Sequence, residues 1–220
     1  TRICPDYRYT VTDKDITSAV NRLHALGLKV CMKPMVNSAD GVWRAYIGFP
    51  EKDWGEQTEW TEWFSNYTAF LCHYAEIAEE TGCEMFCIGC EMLGTEHKVD
   101  FWRKTIAEVR KVYHGPLVYN TNHGKELGVK WWDAVDYIGT SAYYRVADVP
   151  GESMENMISR WDAQKERLAE AEARRRRIAA RHRARERSAA AEAKTPKVEW
   201  PVFALRIGRF QLVGFRTVRL

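Results

Sequence analysis

Residues 83–96 read C-E-M-F-C-I-G-C-E-M-L-G-T-E. Met85, Phe86, Cys87 and Ile88 form a short apolar run without polar alternation, the pattern of a strand covered on both faces in a parallel sheet. Glu91 stands just past its end. In parallel α/β sheets chemistry gathers at the carboxyl ends of the strands, so a lone acid there is a candidate catalyst. A purely structural role for Glu91, as a cap or an ion-pair partner, stands beside that reading. Cys83, Cys87 and Cys90 also spell C-x3-C-x2-C, a spacing known from iron–sulfur ligation. Such a cluster needs its thiolates converging from a loop, whereas Cys87 and Cys90 in a strand point to opposite faces, so no metal is expected.

Working outward from this strand, helices and strands alternate. Trp60 to Glu80 places Trp60, Phe64, Tyr67, Leu71, Tyr74 and Ile77 three or four apart, an amphipathic helix stopped at Gly82. Before it, Thr12 and Asp15 form a capping pattern for a helix through Ile16, Val20, Leu23 and Leu26, with Gly27 as its stop. Leu28 to Val36 then reads as a strand delivering Asn37, Asp40, Trp43 and Arg44 into a loop that runs to about Trp54. After Glu91, Phe101 to Tyr113 is helical. L-V-Y-N-T, ending at Asn120, is a strand, and Val135 to Tyr143 is another, ending in Tyr143 and Tyr144. This is the alternation of βαβ units.

Helical periodicity continues from Met154 through Trp161 and Leu168. From Ala171 to Ala193 the composition collapses to Ala, Arg and Glu, predicting a helix or coil without an apolar stripe to hold it on a sheet. Pro201 to Ile207 resumes a strand-like pattern, and Phe210 to Leu220 shows no helix. The expected domains are therefore 1–170, an α/β body; 171–200, a low-complexity helical insertion; and 201–220, a C-terminal remnant of the body.

The 220 residues suit one domain, near the lower end of the roughly 200 to 400 typical of an eight-stranded α/β barrel. Arg174 to Arg187 holds eight Arg against one Glu, a local +7 that leaves about −4 elsewhere when subtracted from the net +3. That run could bind nucleic acid or an anionic surface; a solvated face is the preferred reading. The six cysteines fall mostly in apolar patterns, which favours reduced thiols and a cytoplasmic setting. No transmembrane run is visible, so a membrane partner is not expected. Nine Trp and ten Tyr are many for this length, and aromatics at loop ends suit the C–H faces of sugar rings. Trp131 and Trp132 read as helix-to-sheet packing rather than as walls of a sugar site.

Together V-C-M-K-P-M-V-N with G-V-W-R-A-Y-I, I-G-C-E-M with T-E, V-Y-N-T, W-W-D-A-V-D-Y-I and S-A-Y-Y resemble glycoside hydrolase family 113. Its members are (β/α)8 TIM barrels acting on β-1,4-mannans. The resemblance covers roughly residues 10 to 165. It implies an incomplete barrel with about five of eight strands visible, an oligo- or polysaccharide substrate, no cofactor, and a retaining two-carboxylate mechanism. Glu91 matches the acid/base. Asn37, Trp43, Arg44, Asn120 and Tyr143 match sugar-binding positions. The nucleophile should be a Glu closing the seventh strand in a pattern like P-hydrophobic-F-A-E-x-G; the nearest match is Pro201 to Gly208, with Arg206 in its place. The resemblance thus implies a mannanase-like glycosidase inactive in this form. Its alternatives are a non-catalytic sugar-binding remnant and an interaction protein using the Arg-rich helix.

Overall fold

The structure, a computed structural model, describes residues 1–6, 8–51, 57–194, 197–207 and 210–219, with side chains through residue 188. It divides into two compact units, residues 1–176 and 177–220. The first is an open parallel sheet, β1 (Cys31–Met32), β2 (Met85–Cys90), β3 (Leu117–Asn122) and β4 (Tyr137–Ser141), hydrogen-bonded in that order. Crossovers carry α2 (Thr58–Glu80) between β1 and β2 and α3 (Val99–Val112) between β2 and β3, with α1 (Asp13–Ala25) ahead of β1.

The helices begin and pack as their sequences dictate. Thr12 caps α1, its hydroxyl accepting the Asp15 N–H, and Gly27 follows the helix at φ 74, a left-handed backbone that glycine adopts without penalty. On α2, Trp60, Trp63, Phe64, Tyr67, Leu71, Ala75 and Ala78 are buried at helical spacing, and α3 turns Trp102, Ile106 and Val109 inward. These faces meet β2, where Phe86 and Ile88 are fully buried. Trp102 is the hub: its ring lies parallel to Trp131 at 4.7 Å and edge-on to Tyr67 at 5.7 Å. Trp131 and Trp132 are fully buried, so both belong to the packing between helices and sheet, as expected.

The strands are shorter than the sequence suggests. Only Cys31 and Met32 of the Leu28–Val36 run pair in the sheet, because Pro34 has no N–H for a ladder bond. β3 runs past Asn120 to Asn122, and β4 stops at Ser141, leaving Tyr143 beyond it.

Residues 154–194 form one helix, α4, that crosses the expected boundary at Ala171. Its first part packs on the body through both apolar and polar contacts, Trp161 lying edge-on to Tyr144 at 6.0 Å. Ala171 is fully buried, Arg174 Nη1–H donates to the Leu127 carbonyl at 2.5 Å, and Arg175 reaches the Val135 carbonyl at 3.4 Å. The missing apolar stripe is thus a poor guide for residues 171–176, where arginines serve orphan carbonyls. In the second unit β5 (Lys197–Ile207) pairs antiparallel with β6 (Phe210–Arg219). The expected remnant at 201–220 thus falls on these two paired strands, with Gly208, Arg209 and Leu220 outside the described residues.

Candidate active site

β2 carries the chain to Glu91, and the backbone changes hand there. The β2–β3 register shifts between Cys87 and Cys90, and Glu91 has φ 55, the only non-glycine with positive φ among the described residues. A left-handed side-chain-bearing residue costs about 1–3 kcal/mol and persists only where its surroundings over-determine it, which happens most at functional sites. Two bonds hold this turn. Glu91 N–H donates to the Asn120 carbonyl at 2.7 Å, and Met92 N–H donates to the Tyr119 hydroxyl at 3.2 Å.

The Glu91 carboxylate faces Arg44, with Oε2 3.7 Å from Nη1 and both side chains about 15 % exposed or less. Arg44 is fixed from its other atoms: Nε–H donates to the Val36 carbonyl at 3.0 Å and Nη2–H to Asn37 Oδ1 at 2.8 Å. Asn37, Arg44 and Glu91 are therefore one connected group. Arg44 opens a 3₁₀ turn, Arg44–Tyr46, that packs on a second such turn, Leu93–Thr95, just after Glu91. A side chain at Gly94 would meet the Ile47 carbonyl oxygen at 2.1 Å, so only glycine allows the two turns this approach.

Asn120 contributes backbone and side chain: its Nδ2 donates to Ser141 Oγ at 2.7 Å and lies 3.6 Å from Cys90 Sγ. Trp43 is 39 % exposed, edge-on to Tyr46, and Tyr143 is 81 % exposed with the His123 ring 6.5 Å away. Both present ring surface on which a ligand could stack, but neither is joined to the Asn37–Arg44–Glu91 group by a hydrogen bond among the described residues. Trp54 lies outside the described residues. Arg206 lies in β5, its Cα paired with Gln211; its side chain lies outside those described.

Sequence reasoning missed several residues here. Lys33, between Met32 and Pro34, has its pKa raised: burial opposes the charge, but the Cys90 thiol, Cys87 and Glu91 around it favour it more. Its signal is a charge inside an apolar strand. Glu96 is 9 % exposed and accepts from Thr121 Oγ1 at 2.6 Å and Tyr119 Oη at 2.8 Å. Burial raises its pKa despite those two donors. Glu126 is fully buried, accepting from Gly124 N–H, Thr140 and Tyr144; burial works against its charge, but the hydroxyl and backbone donors together outweigh it and lower its pKa.

The cysteines carry no metal signature. Burial pushes the Cys87 thiol up to about 12, and it donates to the Gly89 carbonyl at 3.2 Å. Among the described residues no three His, Cys, Asp or Glu side chains converge as a metal site, all six cysteines are free, and no helix is long and apolar enough to cross a membrane.

The family model for Glycoside Hydrolase Family 113 matches residues 1–200. Comparison with curated proteins gave no match. Among solved structures, a family 113 β-1,4-mannanase is 44 % identical with a TM-score of 0.64, covering 73 % of this chain and 48 % of its own. The family 113 β-mannanase from Alicyclobacillus acidocaldarius, solved in complex with ManMIm, is 47 % identical with a TM-score of 0.65, covering 75 % of this chain and 49 % of its own. This chain thus spans about half the length of those relatives. The open four-stranded sheet with its helices is a partial TIM barrel, and the chain belongs to glycoside hydrolase family 113.

Proposed function

We propose that this chain binds β-1,4-mannan or a related β-linked glycan at the Glu91 site and does not turn it over in its present form. The observation that carries the reading is Glu91 itself: a left-handed carboxylate at the end of the most buried strand, with Arg44 and Asn37 fixed beside it. The mannanase names of two solved relatives support the choice of glycan.

In a retaining glycosidase the acid/base gives its proton to the glycosidic oxygen as the C–O bond breaks, while a carboxylate about 5 Å away attacks the anomeric carbon. Water, deprotonated by the same acid/base, then releases the sugar. Glu91 takes the first role in this proposal. Asn37, Arg44 and Asn120 offer polar contacts to sugar hydroxyls, and Trp43 and Tyr143 offer ring faces. The second role has no carboxylate at Arg206, where the family pattern expects one. A guanidinium stays protonated and cannot attack carbon.

The test pairs titration calorimetry with reducing-sugar release, using β-1,4-mannotriose and soluble mannan on the full chain. Binding without release is expected. Clear hydrolysis overturns the inactive reading, and absence of binding overturns the mannan reading. Salt-sensitive binding of RNA or DNA instead would favour the Arg-rich helix as the functional element.

A further inference from the structure

Glu96 is a buried carboxylate with no part in the chemistry above. Among the described residues it pairs with no arginine or lysine within salt-bridge distance, and its Oε1 accepts two hydroxyls, those of Thr121 and Tyr119. A buried charge is costly, so its neighbours should show what it organises. Thr121 and Tyr119 are themselves fully buried. Trp131 Nε1–H donates to the Glu96 carbonyl at 3.0 Å and Trp102 Nε1–H to the Thr95 carbonyl at 3.0 Å, so the segment carrying Glu96 is pinned to the core.

The consequence runs through one oxygen. Because Tyr119 donates its only hydroxyl proton to Glu96, its lone pairs are left to face the Met92 amide, whose N–H they accept. Met92 directly follows Glu91. The Tyr119 ring cannot shift to relax this bond, since Trp102, Trp131 and Trp132 pack around it at 4.8–5.8 Å. A rigid core is thereby connected, in two hydrogen bonds, to the left-handed turn that aims Glu91.

We propose that Glu96 and Tyr119 are positioning residues for Glu91, their paired side chains holding the Met92 amide and so the left-handed backbone that directs the Glu91 carboxyl into the site. This rests on the reading of Glu91 as the acid/base, but its geometric core can be tested without it. Tyr119→Phe removes the hydroxyl and keeps the ring. Glu96→Leu removes the acceptor and keeps the bulk, and Glu96→Gln keeps an oxygen for both hydroxyls.

Amide hydrogen exchange on the full chain should show Met92 exchanging about tenfold faster in Tyr119→Phe and Glu96→Leu, the size of one lost hydrogen bond. In Glu96→Gln it should stay within about twofold of the parent, with the β3 amides of Leu117 and Val118 unchanged throughout. Affinity for β-1,4-mannotriose should fall about fivefold in the first two variants and be retained in the third, a rescue that general loosening of the core would not give. If Tyr119→Phe does not fold, the two Glu96 variants decide. Unchanged Met92 protection in Glu96→Leu, or equal loss in Glu96→Gln, overturns the proposal. If the parent binds no mannotriose, the mannan reading fails while Met92 exchange still decides this one.

Discussion

Gly94→Ala sets two opposed effects against each other, and the structure says which wins. Gly94 has no positive φ, so alanine adopts its backbone freely and should stabilise the chain by about 0.4–1 kcal/mol through the unfolded state. The added methyl, however, lands 2.1 Å from the Ile47 carbonyl oxygen and 3.1 Å from that of Ala45. Real contacts essentially never fall below 3.0 Å, so the turns must separate by about 0.9 Å. The obstacle is backbone rather than a flexible side-chain end, and overpacking of this kind costs about 1–3 kcal/mol. The expected net is a loss of roughly 1–2 kcal/mol, visible as a lower urea midpoint at unchanged m. The separation also has a direction. It moves Arg44, in the turn with Ala45, relative to Glu91, and the 3.7 Å contact has little to spare before the pair is lost. Mannotriose affinity should therefore fall along with stability. A midpoint equal to or above the parent's would refute the reasoning, because propensity alone would then have decided the outcome.

Two further outcomes follow from residues already described. The raised pKa of Glu96 means that its contribution to stability is fully present below its unfolded value, near 4.5, and is lost as pH rises through its folded value, Lys125 and Glu126 being the charges that face it. Glu96→Gln, which cannot ionise, should therefore gain stability relative to the parent as pH rises above that unfolded value, by about 1.4 kcal/mol for each tenfold weakening of the acid on folding; a pH-independent difference in chemical denaturation would contradict this. Deleting residues 177–193 should leave the unfolding free energy of the first unit within about 1 kcal/mol. Deleting 171–193 should cost about 1–3 kcal/mol more, because the buried Ala171 and the Arg174 and Arg175 bonds go with it; equal denaturation curves for the two deletions would show those contacts to be idle.

The parts of this molecule legible in the sequence are those governed by local periodicity. Trp60 to Val109 declares two amphipathic helices around an apolar strand, and the Thr12 cap forms with the partner expected of it. Strand lengths are less readable because pairing is a property of neighbours: Leu28 to Val36 is strand-like for nine residues, yet Pro34 and its position at the sheet edge leave two paired. Of the site, Glu91, Arg44 and Asn37 are each singled out by strand ends and family pattern, but the contacts that join them are not. Glu96 and Tyr119 could not be singled out, because their roles depend on a tertiary hydrogen bond across 23 residues and on a backbone hand that no composition announces. The Arg-rich run misleads in the opposite sense. Apolar periodicity tests whether a helix can bury hydrocarbon, not whether its guanidinium groups can reach carbonyls at the rim of a sheet.

The tryptophan stack has an optical consequence. Trp102 and Trp131 lie nearly parallel, 17° apart at 4.7 Å, inside a group of buried rings, so their indole transitions are coupled rather than independent. Coupled indoles add a signed couplet to the far-ultraviolet dichroism, and helix content judged from that region would be distorted by the aromatic core. The same burial gives a spectroscopic advantage. Trp60, Trp102, Trp131 and Trp132 are shielded from soluble quenchers, whereas Trp43, beside the site, is open to them. Trp161 is as exposed as Trp43, so a quencher-accessible component that shrinks as saccharide is added should be assigned to Trp43 by its loss in Trp43→Phe.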